Sequence, residues 1–164
     1  MPVANYRFKI EGQQIGVGNR IKLSGIADVL QIAAWRHAGK TLLPVAINLS
    51  GKHLLSENLL PSVVKLLDKY AISGDLVEFE VTEGVFINEK ERCIKVLKAL
   101  KQLNITVAID DFGTGYSSLS YLKILPLDVL KIDRSFVDEC ASSVEDAKIC
   151  STIINLAASL ELTT

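Results

Sequence analysis

The amino-acid sequence predicts a parallel α/β fold in which strands and helices alternate along the chain. Short apolar segments begin near residues 43, 76, 105 and 129, and segments with apolar residues at helical spacing lie between them. Strict alternation of this kind favours a parallel sheet covered by helices. The strands recur about every 30 residues, which suits both a (β/α)8 barrel and a doubly wound open sheet. No GxGxxG motif follows a strand, which disfavours a dinucleotide-binding unit.

The predicted elements begin with a β-hairpin formed by Tyr6–Ile10 and Gln13–Val17. Ser24 is predicted to cap a helix that ends at Gly39. The later elements are strands over Leu43–Leu49, Leu76–Val81, Ile105–Ile109 and Val129–Ile132, and helices over Leu54–Tyr70, Glu89–Leu103, Ser117–Leu125 and Val144–Leu160. The first of these strands reads LPVAINL. Because this run is almost wholly apolar, we expect it to be buried on both faces.

Composition narrows the classes of function. The 164 residues are 49% hydrophobic and 23% charged, as is usual for one globular domain. A net charge of −1 disfavours a nucleic-acid polymer as partner, although a local cluster can still bind a small anion. No run approaches the ~18 apolar residues of a membrane span, so this segment is not expected to contact a membrane. Three cysteines without a CxxC pair indicate reduced thiols in the cytoplasm, although a longer parent protein could be membrane-anchored.

Polar side chains collect at the carboxyl ends of the predicted strands, where parallel α/β folds bind ligands. They are Asn48, Glu83, Asp110, Asp111, Lys131 and Asp133. Carboxylate and amide oxygens are the ligands that Mg²⁺ and Mn²⁺ prefer. Two adjacent carboxylates repel each other unless a cation lies between them. With a nearby lysine, such a set suits metal-assisted hydrolysis of a phosphodiester.

Each of these residues also has an ordinary structural explanation. Asn48 could be a turn residue at a strand end, Glu83 a charge at a helix N-terminus, and Asp110-Asp111 a cap for the next helix. Lys131 could be a solvated lysine. The functional interpretation depends on their joint occurrence at successive strand ends. The segment DDFGTGYSS that follows could cover a phosphate as a lid, or could be a tight turn between strand and helix.

Three motifs resemble the EAL domain family of cyclic-di-GMP phosphodiesterases and receptors. They are INLS at 47–50, EVTE at 80–83 and AIDDFGTGYSSLSYLKILPLDVLKIDRSFV at 108–137. The resemblance runs from about Ser24 to the end of the chain, and the opening hairpin is similar to the start of the family. It implies a TIM-like (β/α)8 barrel of the EAL type, incomplete over these residues, with residues 1–164 as one partial domain. It also implies a bacterial signalling role and hydrolysis of cyclic-di-GMP to the linear dinucleotide.

The resemblance further implies a site with two Mg²⁺ or Mn²⁺ ions. Its metal ligands would be Asn48, Glu83 and Asp110, with Asp111 as a catalytic ligand of the second metal and Lys131 holding the attacking water. The mobile lid of the family would correspond to Phe112, Gly113, Thr114, Gly115, Ser117 and Ser118. The expected partners are cyclic-di-GMP, a second copy of the chain as a homodimer, and other signalling domains in a parent protein.

The sequence departs from the family pattern in two places. IGVG stands at 15–18, where the family carries the Glu-Ala-Leu motif with its metal-binding glutamate, and the late catalytic glutamate of the family would fall beyond Thr164. Missing segments explain these departures better than a trimmed domain. We therefore expect weak binding of divalent metals and no measurable hydrolysis by these 164 residues. The alternative function is an inactive EAL-like module that binds cyclic-di-GMP or a protein partner, and the sequence leaves the choice between enzyme and binding module open.

Overall fold

Four parallel strands form the main sheet of the protein. The computed structural model describes residues 9–10, 13–14, 26–86, 89–114 and 122–164. The strands lie in chain order and all pair in parallel, as the alternating pattern predicts. The opening hairpin is confirmed over its described residues, where β1 and β2 pair antiparallel. The strands are β1 (Lys9–Ile10), β2 (Gln13–Gln14), β3 (Val45–Asn48), β4 (Val77–Thr82), β5 (Thr106–Phe112) and β6 (Val129–Ile132).

Helices precede, connect and follow the strands of the main sheet. They are α1 (Ile26–His37), α2 (Gly51–Leu54), α3 (Leu59–Tyr70), α4 (Lys90–Gln102), α5 (Arg134–Glu139) and α6 (Val144–Ser159). Short 3₁₀ turns precede and follow β4 at Gly74–Leu76 and Glu83–Phe86. Ser24 and most of the helix predicted over Ser117–Leu125 lie outside the described residues. Within the described residues, no helix is both long and apolar enough to cross a membrane.

The helix predicted over Leu54–Tyr70 is divided into two, so this prediction is wrong in its first turn. Ser50 caps the short helix α2, because its Oγ accepts a hydrogen bond from the His53 amide at 3.4 Å. The chain then leaves the helix, and Ser56 Oγ accepts from the Asn58 amide at 3.3 Å. A serine that bonds to the backbone two residues on favours a turn over a helix. Helix α3 therefore begins only at Leu59.

The core lies between one face of the main sheet and the helices. Along β4 the buried residues Val77, Phe79 and Val81 alternate with half-buried or exposed polar ones. Leu97 and Leu100 of α4 are fully buried against this face. Burial of such side chains contributes roughly 1.5–3 kcal/mol each, which fixes the register that also sets the polar side chains of β4 on the opposite face.

Strand β3 is not buried on both faces, contrary to the expectation from its apolar sequence. Ile47 is buried in the core, but Ala46 and Asn48 are exposed. The physical reason is that, over the described residues, the core covers only one face of the main sheet, so Ala46 and Asn48 on the other face stay exposed, as Thr82 of β4 does. A run of apolar residues reports that a strand is hydrophobic but does not report how many neighbours cover it.

Asp128 fixes the two strands that carry the acidic pair and the lysine. Its Oδ2 accepts a hydrogen bond from the Val107 amide at 2.8 Å, and its Oδ1 pairs with Lys101 of α4. Its backbone amide donates to the Val107 carbonyl at 2.9 Å, and its carbonyl accepts from the Thr163 amide at 2.9 Å. Strands β5 and β6 are thus held together at the end opposite to their polar termini.

Candidate active site

The main sheet has a second face, away from the core, on which polar side chains collect. Residues paired across parallel strands point to the same side, and Asn48 pairs with Glu80 while Thr82 pairs with Asp110. Glu78 and Glu80 alternate with the buried residues of β4 and therefore point away from the core. We call this surface the polar face, and its members are Asn48, Glu78, Glu80, Asp110, Asp111 and Lys131.

A β-bulge explains how two consecutive aspartates reach the same face. Ile109 pairs with Leu130 and Phe112 pairs with Ile132, so β5 uses three residue steps where β6 uses two. Ile109 and Phe112 are both buried, at 2% and 4% exposure. Asp111 adopts the left-handed conformation with φ of 54°, which is unusual for a residue other than glycine. The extra residue places Asp110 and Asp111 together between two core positions.

Lys131 reaches from β6 across β5 to the carboxylates of β4. Its Nζ pairs with Glu80 Oε1 and lies 3.0 Å from Glu78 Oε1. Ala108 stands between the two strands, paired with Glu80 on one side and with Val129 on the other. Its small side chain leaves space for the lysine to cross. Burial lowers the pKa of Lys131, but the hydrogen bonds and charges of Glu80 and Glu78 outweigh it, so that this pKa lies above its ordinary value.

Asp110 lies in an unfavourable electrostatic environment. Burial raises the pKa of its carboxyl group, and the negative charges of Glu80 and then Asp111 raise it further. A hydrogen bond from the Asp111 backbone and the charge of Lys131 oppose these effects without cancelling them. The acids of the polar face therefore repel one another in the absence of a further cation.

Glu83 has a different environment from the acids of the polar face. It begins the 3₁₀ turn after β4, and its Oε1 accepts a hydrogen bond from the Gly113 amide at 2.9 Å. Sequence reasoning selected Glu83 from the motif EVTE and missed Glu80. The signal that could have identified Glu80 is the alternation in LVEFEV, which sets this glutamate opposite the core and level with Asn48.

The turn after β5 is held from two sides. Glu83 Oε1 accepts a hydrogen bond from the amide of Gly113, and a Cβ at Gly113 would lie 2.9 Å from the ring of Phe136 in α5. Thr114 Oγ1 donates to the Asp111 carbonyl at 2.9 Å. The structure thus describes the first residues of the predicted lid, Phe112, Gly113 and Thr114, whereas Gly115, Ser117 and Ser118 lie outside the described residues.

Asp133 serves as a helix cap. Its Oδ1 accepts hydrogen bonds from the Ser135 amide at 2.9 Å and from Ser135 Oγ at 2.5 Å, at the start of α5. This contact explains an aspartate at the end of β6 without a role in ligand binding.

The donor atoms of the polar face fit a hard divalent cation in their chemistry. Asn48 offers an amide oxygen, and Glu80, Asp110 and Asp111 offer carboxylates on neighbouring strands. A cation between them would relieve the repulsion that raises the pKa of Asp110. Over the described part of the chain, no three carboxylate, imidazole or thiol groups converge closely enough to hold a metal. In this arrangement Glu80 faces the ammonium group of Lys131 instead.

A separate cavity of about 210 Å³ opens on the helix side of the main sheet. Most of its lining is apolar, with Ile47, Val77 and Phe79 from the sheet and Leu59 and Leu66 from α3. Among the described residues, its polar lining consists of Asn48, His53, Ser56, Asn58 and Ser62 and includes no carboxylate, so it lacks the acidic ligands of a divalent cation that metal-assisted phosphodiester chemistry requires. The polar face remains the candidate site.

Comparisons with known proteins relate this chain to a known family. The sequence profile of the family described as "EAL domain" matches residues 11–164. Cyclic di-GMP phosphodiesterase NbdA of Pseudomonas aeruginosa is 40% identical over 125 residues, which cover 76% of this chain and 16% of NbdA. The chain thus spans about one sixth of the length of this curated relative.

Two solved structures show the same fold. The EAL domain of Mycobacterium smegmatis DcpA has a TM-score of 0.78 at 36% identity, with 84% of this chain and 62% of that one covered. The PaMucR phosphodiesterase in complex with c-di-GMP has a TM-score of 0.75 at 36% identity, with coverage of 84% and 56%. The predicted TIM-like barrel of α/β class is therefore confirmed, and it is present in part.

Proposed function

Since the chain belongs to the EAL domain family, we propose that its polar face binds cyclic-di-GMP and contributes to hydrolysis of this messenger to the linear dinucleotide. The observation that carries the proposal is the grouping of Asn48, Glu80, Asp110 and Asp111 beside Lys131 at the carboxyl ends of parallel strands. NbdA is named as a cyclic di-GMP phosphodiesterase, and the PaMucR structure contains c-di-GMP. Both names support cyclic-di-GMP as the ligand of this chain.

EAL phosphodiesterases are generally metal-dependent. We assign the ligand roles for Mg²⁺ or Mn²⁺ to Asn48, Glu80, Asp110 and Asp111, with two ions as the family resemblance implies. Glu80 replaces Glu83 in this assignment for two reasons. Glu83 accepts a hydrogen bond from the Gly113 amide, whereas Glu80 pairs with Asn48 across the strands and so lies level with it. Divalent cations supply charge neutralisation at the phosphoryl oxygens and a more acidic water.

The remaining side chains have roles that follow from their own chemistry. In the proposed hydrolysis a water oxygen forms a bond to phosphorus, the bond from phosphorus to one ribose oxygen breaks, and that oxygen takes up a proton. Lys131 carries three N–H donors on the polar face, which can orient the water or neutralise a phosphate oxygen. Glu83 orders the turn that follows the acidic pair through the Gly113 amide.

A second candidate function is a module that binds cyclic-di-GMP without hydrolysing it. The observation that favours it is IGVG at 15–18, which places no carboxylate where the family has its named glutamate. We also propose a cytoplasmic location, a homodimer, and further signalling domains in a parent protein. The free thiols of Cys93, Cys140 and Cys150 support the cytoplasmic location.

Binding and turnover of cyclic-di-GMP test the proposal directly. With Mn²⁺ present, we expect Asp110→Ala to weaken cyclic-di-GMP binding on the order of tenfold, because a metal ligand is lost. Asp68→Ala, at an exposed position of α3, should leave binding unchanged. Calorimetric titration measures both, and equal binding by the two variants would contradict the site. Because these 164 residues alone are expected to release no product, chromatography of the linear dinucleotide from a parent protein that carries both family glutamates distinguishes the enzyme from the binding module.

A further inference from the structure

Two carboxylates hold the ammonium group of Lys131, and only one of them belongs to the proposed ligand set. We propose that Glu78 is a positioning residue that keeps Lys131 on the polar face when Glu80 turns towards a divalent cation. This inference rests on the proposed function, because the second role of Glu80 is part of it. Glu78 itself would contact neither the metal nor the substrate.

The register of the main sheet separates Glu78 from the metal ligands. Glu78 pairs with Ala46 and Thr106, whereas Asp110 pairs with Thr82. Four residue steps along β4 thus separate Glu78 from the level of Asp110, which corresponds to about 13 Å of strand. A single hard cation binds its oxygen ligands within ~2–2.6 Å. Glu78 is therefore too far along the strand to share an ion with Asp110.

Glu80 lies between the level of Glu78 and the level of Asp110, so its carboxylate can contact either Lys131 or a cation near Asp110. It pairs with Asn48 on one side and with Ala108 on the other, two steps from Glu78 and two steps from Thr82. Its carboxylate now faces Lys131, and its negative charge also raises the pKa of Asp110. A divalent cation near Asp110 would compete with the lysine for this one carboxylate.

Glu78 provides the lysine with a second partner in that competition. The side chain of Lys131 is 33% exposed and that of Glu78 is 19% exposed, so the pair is partly shielded from water. Partly buried ion pairs are screened less by salt than surface pairs, and an ammonium that loses its only partner there is left uncompensated. With Glu78 in place, Glu80 can leave without releasing Lys131 from the polar face.

A simpler explanation is that Glu78 and Lys131 only tie β4 to β6. Under that explanation, Glu78→Gln lowers the stability of the fold but has no specific effect on the position of the ammonium group. The two explanations differ in one state of the molecule, namely when Glu80 is not available to the lysine. Glu80→Gln creates that state without any metal.

The NMR signal of the Lys131 ammonium group tests the inference in metal-free protein. Ammonium protons are observed when ion pairing slows their exchange with water, and Lys131→Arg assigns the signal. We expect the signal to persist in Glu80→Gln and to disappear in the double variant Glu78→Gln, Glu80→Gln. Loss of the signal in Glu80→Gln alone, or its persistence in the double variant, would overturn the role of Glu78.

Titration with Mn²⁺ alone tests the consequence for the cation. Glu78→Gln should weaken Mn²⁺ binding about threefold to tenfold, because Lys131 then retains Glu80 more strongly. Adding Lys131→Met to that variant should restore the affinity. Glu89→Gln removes one carboxylate from the surface pair with Arg92 and serves as the control, with no expected change.

The two measurements separate the inference from the proposed function. An unchanged Mn²⁺ affinity in Glu78→Gln would overturn the inference while leaving the ligand set intact. Absence of Mn²⁺ binding in the unmodified chain would overturn the ligand set instead, and the ammonium signal would still decide whether Glu78 holds Lys131.

Discussion

At the scale of single residues, the polar face is organised around charges that conflict in the folded state. Asp110 is half-buried beside Glu80 and Asp111, and its pKa is raised mainly by burial and then by these two charges. A carboxyl group whose pKa is higher in the folded chain than in the unfolded chain makes its full contribution to stability only at pH values below its pKa in the unfolded chain. That contribution is lost as the pH rises through the folded pKa. At neutral pH the ionised Asp110 therefore makes folding less favourable.

Asp110→Asn should consequently stabilise the metal-free chain. We expect a gain of about 0.5–2 kcal/mol in the free energy of unfolding at pH 7, which corresponds to a rise of a few degrees in Tm. The gain should shrink as the pH falls through the raised pKa of Asp110, because Asp110 of the unmodified chain then becomes protonated. Thermal unfolding in the presence of a chelator measures the effect. Asp68→Asn at an exposed position is the control, and a Tm of Asp110→Asn at or below that of the unmodified chain would contradict this account.

At the scale of elements, the turn after β5 links the acidic pair to the helices that follow β6. The Gly113 amide donates a hydrogen bond to Glu83, and a Cβ at Gly113 would lie 2.9 Å from Phe136 of α5 and 3.5 Å from Ile153 of α6. Its φ of 102° lies in the region that favours glycine. The turn is therefore fixed by a hydrogen bond on one side and by packing on the other.

Gly113→Ala should destabilise the fold more than Gly39→Ala. Both substitutions place a Cβ at positive φ, but the new Cβ at Gly39 meets nothing within 4 Å, whereas that at Gly113 lies 2.9 Å from Phe136. We expect the Gly113 variant to lose about 1–3 kcal/mol beyond the loss at Gly39, because of overpacking. Urea denaturation of both variants measures the difference. In a background that carries Phe136→Ala, the loss caused by Gly113→Ala should be smaller. Equal losses at the two glycines would show that Phe136 does not restrict the turn.

At the scale of the whole molecule, sequence reasoning predicted the order and direction of the strands correctly. The apolar runs at β4, β5 and β6 were sufficient, because strands with a buried face must carry such runs. The bulge between Ile109 and Phe112 could not be predicted, since it is defined by pairing with β6 and not by composition. The exposure of Ala46 likewise depends on what packs over the second face of the main sheet, which the sequence of β3 does not report.

Sequence reasoning named four of the residues that the structure places on the polar face, but it did not name Glu80. Asn48, Asp110, Asp111 and Lys131 were identified from strand ends, and they lie on one face as paired strands require. Glu80 was missed because it lies two residues before the end of β4, where the sequence shows only alternation. Whether these residues bind metal stays a prediction.

Weak metal binding and absence of turnover are expected of the 164-residue chain as a whole. IGVG at 15–18 supplies no carboxylate, so the site lacks one anionic ligand relative to the family pattern. We expect Mn²⁺ affinity on the order of tenfold or more below that of the DcpA EAL domain, and no linear dinucleotide from cyclic-di-GMP. Calorimetry and chromatography measure the two quantities. Product formed by this chain and abolished by Asp110→Ala would show that the missing carboxylate is not limiting.

The β-bulge between Ile109 and Phe112, where β5 uses three residue steps and β6 uses two, has a further consequence. The fold requires the two buried residues, whereas the proposed metal site requires the acids between them. A strand of ordinary spacing would join these two core residues with a single residue between them, so one aspartate is surplus to the architecture. Deleting Asp111 would close the step and remove a residue from left-handed backbone while both core side chains kept their places. Under the proposed function, the extra residue is kept for its carboxylate, and a chain without it should fold around the same two core residues with one acid fewer on the polar face.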